Sequence, residues 1–362
     1  MKILIGINPK SHLLLANDEL NGLNEIGFEC RSVRFGRKDF SSGFMLRLFD
    51  VITNAFSIII ALYKFSPAIL YLNSRVEPIA AVRDFITVSL IKCFYFKRLK
   101  VVIKSHGSEP SVLIKNSFLY KRIMIPYLSK HVDAWFFLST EEKNIAGKYA
   151  PVLADKIFVT ANIIDPSRSK PSSEFRKKYH FSDDKIKILF IGRTINEKGV
   201  FEFLNSIPLT DCSDQCEFIF VGDGPCLQDL KELAIKKGIT SYVKFLGWFD
   251  EQEADNFYAN VDIFVFPTFF DEGFPMALFK SVAAGLPVIT TKTRAASDYL
   301  SMPENVLWVE AKSEKQVAKA IEELVKNEPL RKSMSANNIL LSKQFSRNKI
   351  CTEMGKVFAS LT

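Results

Sequence analysis

Residues 267–291 read PTFFDEGFPMALFKSVAAGLPVITT, and the order of residue types in this stretch decides the fold class. The apolar run from Asp262 to Pro267 reads as a strand. An aromatic loop and an acidic turn, Asp271-Glu272-Gly273, follow it and lead into a helix-length apolar pattern. Gly285-Leu286-Pro287 stops that helix, and a short β-branched strand comes next. Strand, helix and strand with links this short belong to a parallel α/β sheet. In such a sheet a strand-exit loop entering a helix offers backbone N–H groups and a positive dipole end to an anion. The acidic pair at its front accepts hydrogen bonds from hydroxyls. Phosphate donors beside hydroxyl acceptors are what a nucleotide-sugar requires.

The same alternation runs through the rest of the chain. Residues 3–7, 28–33, 68–72, 101–104, 133–138 and 156–160 read as strands in the first half. Helical patterns at 11–26, 42–63, 79–95, 112–130 and 140–150 separate them. The Pro/Ser-rich segment NIIDPSRSKPSS, 162–173, breaks the periodicity as a linker does. Strands at 186–191, 217–221, 242–246 and 262–267 then alternate with helices at 198–206, 226–237 and 251–259. Further helices are expected at 315–326 and 347–361. Two doubly wound parallel sheets follow, with an N-terminal domain over 1–165, a second over 166–345, and a terminal helix, 346–362, packing back on the first.

Composition narrows the function classes. Of 362 residues, 48% are apolar and 32 are Phe, which excludes a disordered chain. The net charge is +8, and residues 1–165 carry all of it, with 22 Lys/Arg against 14 Asp/Glu. A basic, aromatic first half fits an anionic partner such as lipid headgroups or a phosphorylated glycan. No interleaved aromatic RNA motif accompanies it, so nucleic acid is not an expected partner. The six cysteines show neither Cys-x2-Cys pairing nor a nearby His, which argues against structural zinc. Scattered thiols and a start that lacks a signal-peptide pattern point to a reducing cytoplasm. The apolar run 44–63 contains Arg47 and Asp50, which cost roughly 2.5–3.5 kcal/mol each inside a bilayer. It reads as a helix packed on a sheet, partly interfacial, and not as a spanning segment.

Several loops at strand carboxyl ends carry chemistry. GRTINEKG, 192–199, sets Arg193 and Lys198 around a helix start behind the tight turn of Gly192. A guanidinium fork and an ammonium together make a diphosphate clamp, although a loop of solvated charges has the same composition. VGDGP, 221–225, allows close backbone approach at Gly222 and Gly224, or a plain β-turn. His106, in SHGS after the strand 101–104, is placed to hydrogen-bond a sugar hydroxyl or to cap a helix.

Taken in order, GR-x4-KG, GDGP, FLGW and VFPTFFDEGFPMALFKSVAAGLPVITT resemble the retaining glycosyltransferases of family 4. That family has the GT-B fold, two Rossmann-like domains facing across a cleft. The likeness covers about 185–345; the first half matches loosely, through the SHGS loop. It implies that Gly192, Arg193 and Lys198 hold the donor diphosphate. Gly222, Gly224, Gly247 and Trp248 are expected around the nucleobase and ribose. Asp271, Glu272, Gly273, Phe274, Pro275 and Met276 are expected at the donor sugar, with His106 facing that sugar from the other domain and Glu272 and His106 as the catalytic pair. No metal or cofactor is implied; a UDP- or GDP-sugar is a substrate, and the cations stabilise the leaving group.

Two departures stand out. The family shows Glu-x7-Glu, and position 280 is Lys280, which donates where a carboxylate accepts and is a candidate third cation of the diphosphate clamp. The first loop, Ile7-Asn8-Pro9-Lys10-Ser11, lacks the glycine pair of many relatives. The expectation is a cytoplasmic enzyme, peripheral on the inner face of a membrane, moving sugar to a glycan or lipid-linked acceptor in lipopolysaccharide or capsule synthesis. The alternatives are a donor-binding subunit of weak activity, a sugar-nucleotide epimerase and a hydrolase.

Overall fold

The computed structural model describes residues 1–8, 13–36, 44–75, 77–107, 118–165 and 171–362. Pro9, Lys10 and Ser11 of the first loop, Ser108, the start of the expected helix 112–130 and part of the linker lie outside them. The chain divides into two compact units, Met1–Ile163 with Phe345–Thr362, and Ile164–Gln344.

Unit 1 is built on strands β1 (Lys2–Ile7), β2 (Glu29–Arg34), β3 (Ile69–Ser74), β4 (Lys100–Ser105), β5 (Ala134–Phe137) and β6 (Ile157–Val159), ordered β2-β1-β3-β4-β5-β6. Every pairing is parallel, with Ile3 opposite Ile69 and Ile69 opposite Lys100. The central strands are apolar at consecutive positions because helices cover both faces. Helices α1 (Leu13–Glu25), α2 (Phe44–Phe65) and α3 (Pro78–Phe94) supply the first crossovers. The expected helix 112–130 is observed from residue 118 as a π-helical stretch, Leu119–Met124, running into α4 (Ile125–His131). Pro126 has no N–H for the α-helical ladder at that junction. Helix α5 (Thr140–Tyr149) is capped by the Ser139 hydroxyl, which accepts from the Glu142 N–H.

Unit 2 contains β7 (Ile186–Ile191), β8 (Cys216–Val221), β9 (Val243–Gly247), β10 (Ile263–Phe266), β11 (Val288–Thr290) and β12 (Val306–Trp308), ordered β12-β11-β10-β7-β8-β9 and again all parallel. Its helices are α6 (Ser173–Lys178), α7 (Val200–Ser206), α8 (Leu227–Lys236), α9 (Glu251–Tyr258), α10 (Met276–Ala283), α11 (Arg294–Tyr299), α12 (Glu314–Lys326) and α13 (Glu328–Ser342). Stacked Phe190, Phe264 and Phe266 line the middle of the core, with ring centroids 5.8 Å apart. β12, α6, α11 and α13 go beyond the sequence expectation. β12 is too short for a period to show. α13 buries only Met334, Asn338 and Ser342, so its apolar pattern is weak. Its start is nonetheless written in the sequence: the Asn327 side chain accepts from the Leu330 N–H and Pro329 sits in the first turn.

The terminal helix α14 (Arg347–Leu361) packs in unit 1. Phe358 touches Phe28, Tyr71 and Phe136, at centroid distances of 6.3, 5.6 and 6.0 Å. Arg347 binds Asp18 at 3.0 Å and Glu25 at 3.1 Å. Beneath it, fully buried Lys104 and Glu19 pair at 2.5 Å. The Tyr71 hydroxyl donates to the same carboxylate at 2.7 Å, and Lys104 donates to the Ala161 carbonyl at 3.1 Å. A buried charge persists only when paired and hydrogen-bonded this fully.

Candidate functional site

Three loops at the carboxyl ends of β7, β8 and β10 are locked together. After β7, the Gly192 N–H donates to the Val221 carbonyl at 3.0 Å and Thr194 N–H to the Asp223 carbonyl at 2.9 Å. After β8, Gly222 has φ +132°, and a Cβ there would overlap the Gly192 carbonyl oxygen, so only glycine fits. Gly224 faces Thr194, and the Gly222 N–H reaches the Gly247 carbonyl at 2.6 Å. GDGP is therefore not an isolated β-turn; it is zipped to the Gly192-Arg193-Thr194 loop. Beside Gly247, Trp248 leaves 72% of its surface in solvent.

The loop after β10 is tied in from the other side. The Glu197 carbonyl accepts the N–H groups of Phe269 and Phe270 at 2.8 Å each and the Thr268 hydroxyl at 3.1 Å. Gly199 adopts φ +74° against the Pro267 carbonyl, where no Cβ fits. These contacts carry Lys198 onto Glu272, and the two form an ion pair with side chains only 11% and 16% exposed. Phe270 lies under both cations: its ring centre is 5.0 Å from Lys198 Nζ and 5.9 Å from the Arg193 guanidinium. Asp271 pairs with buried Arg294, from the first turn of α11.

Of the expected donor-side residues, Gly192, Arg193, Lys198, Gly222, Gly224, Gly247, Asp271 and Glu272 belong to this constellation. Gly273 and Phe274 are buried, and Phe274 stacks on Phe279 at 3.9 Å, so its ring is core. Pro275 is the N-cap of α10 and Met276 its first residue. Lys280 is engaged elsewhere: its ammonium binds Asp255 of α9 at 2.7 Å, and both side chains are largely buried. Phe270 and Arg294 were not legible as site residues, nor was Asp255 as the partner that takes Lys280 away from the site. Arg294 follows a strand end, which is a positional signal. Phe270 and Asp255 acquire their roles only through contacts between elements.

In unit 1, His106 follows β4 and is 2% exposed. Its backbone N–H donates to the Ser74 carbonyl at 2.8 Å, and Nε2 lies 2.7 Å from Asn73 Oδ1. With the amide oxygen as acceptor, Nε2 carries the proton.

Burial pushes the Lys198 ammonium down to about 8, and the nearby Arg193 guanidinium adds to that shift. The Glu272 carboxylate in contact with it works in the opposite direction. The constellation thus holds two cations, a carboxylate paired with one of them, and an aromatic floor. Such a set has the chemistry to take an anion flanked by hydroxyls. Among the described residues no group of three or more His, Cys, Asp or Glu is arranged to hold a metal ion.

Comparison with known proteins agrees with the geometry. Residues 171–340 match the family model described as Glycosyl transferases group 1. An uncharacterized glycosyltransferase of Methanocaldococcus jannaschii is 26% identical over 72% of this chain and 68% of its own length. A GDP-mannose-dependent alpha-(1-6)-phosphatidylinositol monomannoside mannosyltransferase of Mycobacterium tuberculosis is 26% identical, over 62% of this chain and 60% of its own. The capsular polysaccharide biosynthesis glycosyltransferase CapM of Staphylococcus aureus is 26% identical over 46% of this chain and 44% of its own. This chain thus spans about half to two thirds of these relatives. Anabaena HepE in complex with UDP and glucose superposes with a TM-score of 0.73 at 15% identity, covering 99% of this chain and 100% of that one. WaaG, a glycosyltransferase involved in lipopolysaccharide biosynthesis, gives 0.68 at 15% identity over 99% of both chains. The fold they share with this chain is GT-B.

Proposed function

From the match of residues 171–340 to the group 1 glycosyltransferases, we propose that this chain transfers a sugar, with retention, from a UDP- or GDP-sugar to a glycan or lipid-linked acceptor. The observation that carries the proposal is the Lys198–Glu272 pair beside Arg193, held by three interlocked strand-exit loops.

Arg193 and Lys198 take the diphosphate, the Arg as a fork and the Lys as a point charge. Lys198 exchanges Glu272 for phosphate oxygen when donor binds, which frees the carboxylate to accept hydrogen bonds from sugar hydroxyls. During reaction the bond between the anomeric carbon and the phosphate oxygen breaks, and negative charge grows on the departing diphosphate. The two cations neutralise that charge in a site with little water. The acceptor oxygen bonds the anomeric carbon, and its proton leaves with the departing phosphate. No metal or other cofactor enters this scheme. Retention rests on the resemblance to family 4 and is tested by the anomeric configuration of the product. His106, hydrogen-bonded to Asn73, enters the proposal through the resemblance to family 4, as a group that hydrogen-bonds the sugar.

A cytoplasmic place on the inner face of a membrane and a part in surface-polysaccharide synthesis belong to the proposal. Their support is the basic first half and the kinds of glycosyltransferase this chain resembles. The second reading, a donor-binding subunit of weak activity, draws on Lys280 at the position of the family's second Glu. Turnover that rises in Lys280→Glu favours it. The deciding experiment offers a panel of UDP- and GDP-sugars with membrane extract as acceptor and measures nucleotide release. Release from one donor, lost in Glu272→Ala, is expected; no release from any donor sinks the proposal.

A further inference from the structure

Helix α2 is apolar on two faces. Ala55, Ile58, Ile59, Leu62 and Phe65 are buried in the unit 1 core. Met45, Phe49, Phe56, Ile60 and Tyr63 follow one another at helical spacing on another side, and each is 42–73% exposed. At 1.5 Å per residue this stripe is about 27 Å long.

The end of α3 and the link to β4 continue it. Phe94 meets Phe56 at a centroid distance of 5.6 Å, and the Tyr63 hydroxyl donates to the Phe94 carbonyl at 2.9 Å. Phe96 is 83% exposed. Cations rim this end: Lys64, Lys92, Lys97 and Arg98 are all exposed, and Lys97 lies 5.9 Å from the Tyr63 ring centre. Among the described residues 45–99 no Asp or Glu is exposed: Asp50 and Glu77 are half-buried and Asp84 is buried. An apolar stripe this long, edged by charges of one sign, calls for a partner that is apolar and anionic together. A second copy of the chain would bring the same cations against these and repel. A spanning role for α2, which is long and apolar enough to cross a membrane, would strip its inner face from the core.

We propose that this face seats unit 1 on an anionic lipid bilayer. Helix α2 lies in the plane of the boundary between headgroups and acyl chains. Lys64, Lys92, Lys97 and Arg98 meet the anionic headgroups. The proposal sharpens the membrane location given above, but its readout is vesicle binding, so its failure and a failure of sugar transfer are told apart.

The test mixes the full chain with phosphatidylcholine vesicles, with or without phosphatidylglycerol, and measures co-sedimentation. Binding to the anionic vesicles alone, weakened by salt, is expected. Lys97→Gln with Arg98→Gln lowers that binding about thirty-fold at low salt, the increment for two cations. Met45→Ser with Phe49→Ser and Phe96→Ser lowers it at least roughly tenfold, with an unchanged melting temperature because these side chains are exposed. Ile235→Ser, an exposed apolar position in unit 2, changes nothing. Equal binding to neutral vesicles, or indifference to these substitutions, overturns the proposal. So does a vesicle-free dimer that the same substitutions dissolve, and so does carbonate-resistant insertion.

Discussion

Replacing Lys198 with Met tests whether the pair with Glu272 is machinery or scaffolding. Removing one partner of a buried ion pair costs about 3–5 kcal/mol. Here both side chains keep an edge in water, 11% and 16% exposed, so about 1–3 kcal/mol of unit 2 stability is expected to go. In Lys198→Met/Glu272→Gln the stranded carboxylate is gone, and the double variant recovers most of that loss, with a coupling of about 1–3 kcal/mol. Activity behaves differently. A group that stabilises leaving-group charge is worth about a hundred- to a thousandfold in rate, and neither Met nor Gln replaces it. Denaturant melts give the stabilities, and nucleotide release from the preferred donor gives the rates. Activity that returns together with stability in the double variant refutes the catalytic reading. Additive stability losses refute the pair.

The Lys198 ammonium, held down to about 8 against an ordinary 10.5, gives kcat/KM an alkaline limb near pH 8, which Lys198→Arg moves upward. In the same region the unfolded chain binds more protons than the folded one, so this residue's contribution to stability rises from about pH 8 to 10.5 while activity falls; a parallel fall of both contradicts the assignment. Gly222→Ala forces a methyl into the Gly192 carbonyl and is expected to cost about 2–4 kcal/mol and most activity; a wild-type melting temperature would show that the loops are not interlocked. Arg294→Gln releases Asp271 from its buried partner and raises the donor KM more than it lowers kcat, by about five- to tenfold; an unchanged KM removes Arg294 from the site. EDTA leaves nucleotide release unchanged if the cations suffice, and a loss restored by a divalent ion falsifies that part of the scheme.

What was legible in the sequence is what local pattern encodes. Continuous apolar strands such as Ile186–Ile191 and the glycine stops between elements gave both parallel sheets. Strand-end placement gave Arg193, Lys198 and Glu272 as separate candidates, and the resemblance to family 4 joined them into one group. What escaped was set by contacts between elements. Lys280 reads as a stray cation until α9 brings Asp255 to it at 2.7 Å. Phe270 reads as one aromatic among many until the Glu197 carbonyl fixes its backbone beneath both cations. α13 escaped because a mostly polar helix carries its information at the cap.

The return of α14 to unit 1 imposes an order on synthesis. The polypeptide leaves unit 1 after Ile163 and re-enters it at Phe345. Ile350, Cys351, Met354 and Phe358 are all buried, so the first sheet emerges from the ribosome with one flank uncovered. It stays so while all of unit 2 is translated, roughly ten to forty seconds at ordinary elongation rates. Unit 2 begins later and is complete first. The half of the molecule with the most exposed apolar surface is therefore also the half that waits longest for its last piece, and nascent chains stalled before residue 345 are where a chaperone has the most to hold.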